Sequence, residues 1–217
     1  MKQIKFLICI GLTLVMSAST QTLGKNYCYN GNFMSEKGHL DGWNLNYDWT
    51  GISLQQGNHL HASYIPEFRG KKNVLKMKVP SGYESKIECK LIPYHAGDRY
   101  KCTFDIYIEN VNMKMLFNGY RFKPGIRPYD NPKLQDLRRI YKTDQKDMKM
   151  GARWQSKTMY FPTKPQVSKT AYSHLRKVRN ICTFFYVPGH TYFKDGNFYL
   201  ANMNITKLPG KVTVKKK

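Results

Sequence analysis

Arginine and tyrosine residues are interleaved over residues 120–153, a pattern with clear chemical use. A guanidinium group binds a carboxylate or sulfate through two parallel hydrogen bonds, and a tyrosine offers an apolar ring beside a hydroxyl. Such a set could form a subsite for an anionic ligand, or it could be a solvated charged loop. The set consists of Tyr120, Arg121, Arg127, Tyr129, Arg138, Arg139, Tyr141 and Arg153.

Three aromatic residues nearer the N-terminus are candidate platforms on which a sugar ring could stack. Tyr47 and Trp49 continue the alternation of a predicted strand that begins at Trp43, and Trp49 stands at its end beside Gly51. Tyr64 lies in the next predicted strand. An aromatic face packs against the apolar face of a pyranose, while polar neighbours orient its hydroxyls.

No recognised catalytic or metal-binding motif occurs in the chain. GxSxG, HExxH and CxxC patterns are absent, which removes the common signatures of nucleophilic hydrolases, zinc proteases and zinc knuckles. His59 and His61 would share one face of a strand, but the sequence offers no third ligand. The sequence therefore predicts no catalytic residue, no metal site and no cofactor.

The balance of charge indicates either a polyanionic partner or a basic solvated surface without a specific partner. Lys and Arg total 36 against 14 Asp and Glu, which gives a formal net charge of +22. Such a field attracts polyanions and is screened by salt. Charge alone does not separate nucleic acid from anionic polysaccharide.

The N-terminus predicts export and helps to choose between these partners. A basic start at 1–5, an apolar run at 6–16 and small residues at 17–19 form a signal-peptide pattern, so residues 1–19 are predicted to be removed. The apolar run is too short to predict a transmembrane segment. A secreted, periplasmic or cell-surface protein meets acidic polysaccharide more often than nucleic acid, so an anionic polysaccharide is the predicted partner.

Four cysteines follow the predicted signal peptide and allow three pairings: Cys28, Cys89, Cys102 and Cys182. Cys89 and Cys102 flank a predicted turn at 95–98, which would place them on neighbouring strands. Export permits disulfides, and buried free thiols are the alternative.

Alternating apolar and polar residues predict an all-β fold. Segments 43–49, 74–79, 86–92 and 100–108 alternate, and further strands are predicted at 60–65, 153–161, 180–187 and 197–206. Residues 117–151 are rich in Pro and charge and predict an irregular insertion, which is either partly helical or a charged loop. The expected architecture is a two-sheet antiparallel β-sandwich or jelly roll over 26–208. A basic tail follows at 209–217, and residues 211–217 are expected to be frayed.

Four segments in order resemble one family. The first pairs Asn30-Gly31-Asn32-Phe33 with Gly42-Trp43, and the others lie at 92–106, 153–161 and 196–205. Together they resemble secreted carbohydrate-binding modules of the galactose-binding-like β-sandwich superfamily. The resemblance implies a jelly roll that binds carbohydrate without catalysis, with Trp43 and Trp154 in the core.

The same resemblance implies a structural Ca²⁺ that this chain is poorly equipped to hold. Family members usually carry Glu after the first Phe and Asp in the closing strand, where this sequence has Met34 and Ala201-Asn202. Ca²⁺ prefers several oxygen ligands with carboxylate charge. The family calcium is therefore expected to be lost or weakened.

These observations predict a secreted, non-catalytic protein that resembles a carbohydrate-binding module and takes acidic polysaccharide. The predicted binding residues are Trp49, Tyr47, Tyr64, Tyr120, Arg121, Arg127, Tyr129 and Arg153. Two alternatives stay open: a small polysaccharide lyase on a β-sandwich scaffold, and a cell-surface structural or adhesion protein.

Overall fold

The computed structural model describes residues 25–46, 62–82, 85–130, 132–143, 146–188 and 194–215. Tyr47, Trp49, His59, His61 and the predicted signal peptide lie outside these ranges. Within them the chain forms two antiparallel sheets, one small parallel pair and one short helix.

The larger sheet has seven strands. They are β1 (Trp43–Asn46), β4 (Ser85–Cys89), β5 (Ile92–Pro93), β7 (Met113–Phe122), β8 (Leu137–Lys142), β9 (Lys146–Met148) and β12 (Asn180–Val187). The main order is β1-β4-β12-β7-β8, with β5 paired to β12 and β9 paired to β7.

The second sheet has five strands. They are β2 (Ala62–Phe68), β3 (Lys71–Val79), β6 (Tyr100–Glu109), β10 (Gly151–Phe161) and β13 (Gly196–Lys207). Their order is β10-β6-β13-β3-β2, so β10 and β2 are the edges. The remaining elements are a parallel pair, β11 (Gln166–Val167) with β14 (Thr213–Val214), and the helix α1 (Lys169–Leu175).

One apolar core lies between the two sheets. Cys102, Phe104 and Ile106 of β6 alternate with outward residues and point inwards, as a half-buried strand requires. Phe104 meets Phe185 of β12 edge to face at 5.0 Å, which joins the two sheets. The predicted all-β, two-sheet antiparallel sandwich is confirmed.

The N-terminal motif proves to be structural. The Asn30 side-chain amide donates to the carbonyls of His39 at 2.8 Å and Asp41 at 3.1 Å, which closes the loop before Trp43. A Cβ on Gly31 would lie 2.1 Å from the Met203 carbonyl oxygen, so the close approach of these two backbones requires glycine. Trp43 is buried, which confirms its predicted place in the core.

Most of the region 117–151, expected to be an irregular insertion, forms β-strands instead. Strand β7 continues to Phe122, and β8 and β9 pair with it. Between β7 and β8 the described irregular residues are 123–130 and 132–133, followed by a single 3₁₀ turn, Leu134–Asp136. The strand was missed because both of its faces are covered: Met115 points inwards, and Leu116 and Asn118 point outwards, yet all three are buried. A strand buried on both faces shows no alternation.

Helix α1 was not predicted. It spans only seven residues, which is too short for helical periodicity to appear in the sequence. Ser168 is its N-cap, and its hydroxyl accepts a hydrogen bond from the Ala171 backbone N–H at 3.2 Å.

The basic tail is anchored at its start. The Lys211 ammonium lies 2.9 Å from Asp98, Val212 is buried, and Thr213 and Val214 pair with β11. Lys207 reaches the same carboxylate at 2.7 Å. The expectation of fraying is therefore wrong for residues 211–214.

The cysteine geometry also differs from expectation. Cys89 lies on β4 of the seven-stranded sheet and Cys102 on β6 of the five-stranded sheet, so the turn between them crosses from one sheet to the other. They are not on neighbouring strands. All four described cysteines are buried free thiols.

Candidate functional site

A β-bulge on the edge strand β10 builds an open groove. Gly151 pairs with Ile108 and Gln155 pairs with Ile106, so Ala152, Arg153 and Trp154 stand opposite the single residue Tyr107. A bulge bends its strand and re-aims side chains. The groove has a volume of about 760 Å³, and we call it the β10 groove. Its lining residues are Lys149, Met150, Gly151, Ala152, Arg153, Trp154, Gln155 and Lys157.

Hydrogen bonds fix the turn that forms one wall of the β10 groove. The Gln155 side-chain amide donates to the Lys149 carbonyl at 3.1 Å, across the turn between β9 and β10. The Met150 N–H donates to the Asn112 side chain at 3.2 Å. These bonds hold the Lys149–Gly151 turn at a fixed distance from the strand.

Trp154 is held in place by an aromatic cluster on the outward face of the five-stranded sheet. Its ring centroid lies 5.9 Å from Tyr107 and 6.2 Å from Phe68, and its indole N–H donates to the Phe68 carbonyl at 3.3 Å. The indole is half-buried. The expectation of a core position is met only in part, because this cluster lies outside the main core.

The polar groups beneath the β10 groove are satisfied by one another. Asp105 accepts from Ser156 of β10 at 2.5 Å and from Asn202 at 2.7 Å, and Lys71 lies 2.9 Å away. Burial alone would raise the pKa of Asp105, but the bonds from Ser156, Lys71 and Asn202 outweigh it and hold the pKa below the ordinary value of 3.8. This carboxylate anchors the strand and is already engaged.

The charged side chains of the β10 groove are all cationic. Lys149 and Arg153 are exposed and Lys157 is half-buried, and none of the described residues that line the groove is acidic. A guanidinium and two ammonium groups beside a fixed indole can bind a ligand with a flat apolar face and a carboxylate or sulfate.

A second polar region lies on the outward face of the seven-stranded sheet. Directly opposed residues of antiparallel strands share a face, and the register aligns Glu88 with Phe184 and Leu116, and Cys182 with Asn118. We call this region the polar face. It consists of Lys86, Glu88, Leu116, Asn118, Tyr120, Cys182, Phe184 and Tyr186.

The centre of the polar face is buried and protonated. The Asn118 amide donates to the Tyr120 hydroxyl at 3.2 Å, and the Cys182 thiol lies 3.8 Å from the same oxygen. Burial raises the pKa of Tyr120, with Cys182 and Glu88 adding to the effect. Asn118 Oδ1 has no hydrogen-bond partner among the described residues.

Glu88 makes this region behave like an interior. Its side chain is 2% exposed, and its carboxylate lies 3.2 Å from the Lys86 ammonium. Lys86 also stands 4.2 Å from the centroid of Phe184, whose ring stacks near Tyr186. A buried carboxylate needs such partners to offset the cost of its burial.

The predicted site residues do not form one site. Tyr120 is 7% exposed and belongs to the polar face, so its ring offers no open platform. Arg121 follows it with its Nε buried and without a partner among the described residues. Arg127 and Tyr129 lie in the connection after β7, where the Tyr129 ring packs 5.6 Å from Phe122 and its hydroxyl donates to Asp136.

Tyr64 and Arg153 lie on the other sheet, and only Arg153 reaches the β10 groove. Tyr64 stacks on His39 at 3.6 Å and its hydroxyl donates to Asn73 at 2.8 Å, so one ring face and the polar end are occupied. Tyr47 and Trp49 lie outside the described residues. The prediction for these two positions stays a prediction.

Several groove residues were not predicted from the sequence. Lys149, Gln155 and Lys157 carry no pattern of their own, because the bulge that groups them with Arg153 depends on pairing with β6. The Gly151 after a Met-Lys-Met run was the available signal for a turn.

The residues at the expected calcium positions do not fit a hard cation. Met34 is exposed and has no oxygen in its side chain, and Ala201 is a buried apolar residue. The Asn202 amide donates to Asp105 on the outward face of the five-stranded sheet. Within the described ranges no three His, Cys, Asp or Glu side chains group as metal ligands, and no helix there is long and apolar enough to cross a membrane.

Comparisons with solved structures agree with the architecture. A tailspike protein 4 enzymatically active domain of bacteriophage CBA120 aligns with a TM-score of 0.50 and 12% identity, over 84% of this chain and 21% of that one. The chain thus spans about a fifth of the tailspike protein. The shared feature is the β-sandwich.

Two carbohydrate-binding modules align over nearly their whole length. TmCBM61, solved in complex with β-1,4-galactotriose, has a TM-score of 0.44 and 11% identity over 85% of this chain and 99% of its own. A family 16 carbohydrate-binding module-2 has a TM-score of 0.46 and 14% identity over 83% and 99%. At these identities the likeness concerns the fold alone. No family model and no curated protein matches the chain.

Proposed function

We propose that this protein is an exported, non-catalytic carbohydrate-binding protein that takes acidic polysaccharide in the β10 groove. The observation that carries the proposal is the lining of that groove, where Arg153, Lys149 and Lys157 surround the fixed indole of Trp154 and no described lining residue is acidic. An open groove of about 760 Å³ has room for a few sugar units.

The lining supports binding of an acidic sugar in two ways. The half-buried indole offers a rigid face on which a pyranose can stack. The Arg153 guanidinium can take a uronate carboxylate or a sulfate through two hydrogen bonds, and the two lysines supply further charge. The formal net charge of +22 would draw a polyanion towards this edge of the sheet.

The same lining supports binding over cleavage. A polysaccharide lyase on this scaffold needs a Tyr or His base, and a glycosidase needs two carboxylates. The described residues that line the groove include no Tyr, His, Asp or Glu. On the polar face, burial raises the pKa of Tyr120, so the hydroxyl keeps its proton and little tyrosinate is available to act as a base.

Affinity electrophoresis of the full chain tests the proposal. The protein should be retarded in gels that contain polygalacturonate or chondroitin sulfate, less in neutral galactan, and retardation should weaken as salt rises. Polyglutamate serves as a polyanion without sugar rings. Absence of retardation by every glycan, or equal retardation by polyglutamate, would overturn the proposal.

A matched pair of double variants locates the site. Arg153→Ala with Lys157→Ala should lose at least tenfold in affinity for polygalacturonate, which is about 1.4 kcal/mol. Lys169→Ala with Lys177→Ala removes the same charge from the exposed surface around helix α1 and should lose less than twofold. An equal loss in both pairs would mean that only net charge matters.

A further inference from the structure

The arrangement of the four buried thiols distinguishes among the possible cysteine pairings. Cys89 points into the core beside Thr183, whose hydroxyl lies 3.1 Å and whose backbone N–H lies 3.3 Å from the Cys89 sulfur. Cys182 neighbours Thr183 in the same strand, and successive side chains of a strand point to opposite faces. Cys182 therefore lies on the polar face, with the sheet between it and Cys89.

Cys102 faces Cys89 from the opposite sheet. It lies on β6 of the five-stranded sheet, and its sulfur is 3.9 Å from the Met203 sulfur. Cys89, by contrast, is on β4 of the seven-stranded sheet. A bond between them would have to cross the core from sheet to sheet.

Cys28 is the partner beside Cys89. The next residues along both segments are in contact, since the Lys90 ammonium lies 4.8 Å from the centroid of the Tyr29 ring. The Trp43 indole, paired in register with Cys89, donates to the Asn30 carbonyl at 3.1 Å. These contacts hold residues 28–30 against the C-terminal end of β4.

We propose that Cys28 and Cys89 form a disulfide in an oxidising compartment, and that Cys102 and Cys182 remain thiols. The bond links the N-terminal segment to the seven-stranded sheet. This segment contributes the buried Phe33, and it forms no described strand before Trp43. The inference is independent of glycan binding.

The chemistry uses an ordinary disulfide oxidant such as glutathione disulfide. The Cys89 thiolate attacks one sulfur of the oxidant and releases a glutathione thiolate. The Cys28 thiolate then attacks the mixed disulfide at the Cys89 sulfur and releases the second glutathione. The protein loses two electrons and two protons, and the oxidant is reduced to two thiols.

The environment of Cys89 favours the thiolate that this step needs. A hydrogen bond from the Cys28 thiol, followed by hydrogen bonds from Thr183, holds the pKa of Cys89 below its ordinary value despite burial. The same pair raises the pKa of Cys28, which is the donor in that contact.

Peptide mapping decides the pairing. The full chain is refolded in reduced and oxidised glutathione, unfolded, alkylated with iodoacetamide, and digested without reduction. The expected product is a peptide pair joined through Cys28 and Cys89, with Cys102 and Cys182 alkylated. Alkylation of all four thiols, or a link through Cys102 or Cys182, would overturn the proposal.

Thermal unfolding provides a second measurement. Reduction should lower the Tm of the wild-type protein by roughly 5–15 °C, because the bond closes a long loop in the unfolded chain. Cys28→Ala should show no such dependence on reductant, whereas Cys102→Ala should retain it. If Cys28→Ala fails to fold, the peptide map of the wild-type chain still identifies the bonded pair. An unchanged wild-type Tm on reduction contradicts a stabilising bond.

Discussion

The β10 groove and the polar face both combine aromatic rings with charge, yet they differ in access to water. In the groove Arg153 and Lys149 are exposed, so their charge costs little and is available to a ligand. On the polar face Glu88 is 2% exposed and the Tyr120 hydroxyl is hydrogen-bonded by Asn118. Similar residue types thus suit recognition where they are open, and cohesion where they are buried.

Glu88→Ala is expected to show the largest difference between the two regions, because it should lower stability without affecting glycan binding. Removing the carboxylate leaves the mostly buried Lys86 ammonium without its partner at 3.2 Å, and should lower the free energy of unfolding by roughly 2–4 kcal/mol. Urea denaturation measures the change. Glu67→Ala, at an exposed position of β2, is the control and should stay within about 0.5 kcal/mol. A loss of glycan affinity in folded Glu88→Ala would erase the distinction between the regions.

As pH falls, the protein should lose stability while the Lys and Arg side chains of the β10 groove keep their positive charge. Burial opposes ionisation of Asp98, but Lys207 and Lys211 hold its pKa below the ordinary value of 3.8. A carboxyl group whose pKa is lowered by folding stabilises the protein at pH above the unfolded pKa, and this stability is lost as pH falls through the folded pKa.

The Tm should therefore fall as pH is lowered below about 4, while the groove cations keep their charge. Asp98→Asn should have a lower Tm at pH 7 and a flatter dependence on pH than the wild-type protein. Differential scanning calorimetry from about pH 7 to about pH 2.5 tests this. Parallel curves for the two proteins would show that Asp98 does not carry the effect.

Trp154→Ala should mainly affect binding. Loss of the indole face is expected to weaken binding of polygalacturonate about tenfold, or about 1.4 kcal/mol. Trp154→Phe keeps an aromatic ring against Phe68 and Tyr107 and should recover most of the affinity. Isothermal titration calorimetry measures both variants. If Trp154→Ala keeps full affinity, the Trp154 ring does not take part in binding.

The smallest effect is expected from Arg153→Lys. The charge stays, but the planar fork that takes a carboxylate through two bonds is lost, so affinity should fall about threefold. The dependence of affinity on salt should stay the same because the net charge is unchanged. If Arg153→Lys loses as much affinity as Arg153→Ala, the planar guanidinium group would matter and the positive charge alone would not.

The fold could be predicted well where apolar and polar residue types alternate along a strand. Strand β6 alternates along its length, and its predicted span differs from the observed one by a single residue at the C-terminal end. Strand β7 failed the same test because Leu116 and Asn118 are covered on the outward side. The outcome depends on what packs over a sheet, which periodicity does not report.

Of the residues that line the β10 groove, only Arg153 was predicted from the sequence as a binding residue. Arg153 was named from its residue type, but Lys149 and Lys157 join it through the bulge between β10 and β6. Tyr120 was named for the same chemical reason and is buried. Arg153 is exposed and Tyr120 is buried, although the same chemical reasoning selected both residues. Their exposure differs because it depends on which strands pair and pack against them.

The all-β class, the strong positive charge and the N-terminal Asn-Gly motif before Trp43 can be read from the amino-acid sequence, since they follow from local alternation, composition and turn chemistry. Tertiary structure alone decided that β4 and β6 belong to different sheets, that Cys28 lies beside Cys89, and that Arg153 and Trp154 emerge on a bulge. These features arise from contacts between residues far apart in the chain, and no local pattern encodes which strands become neighbours.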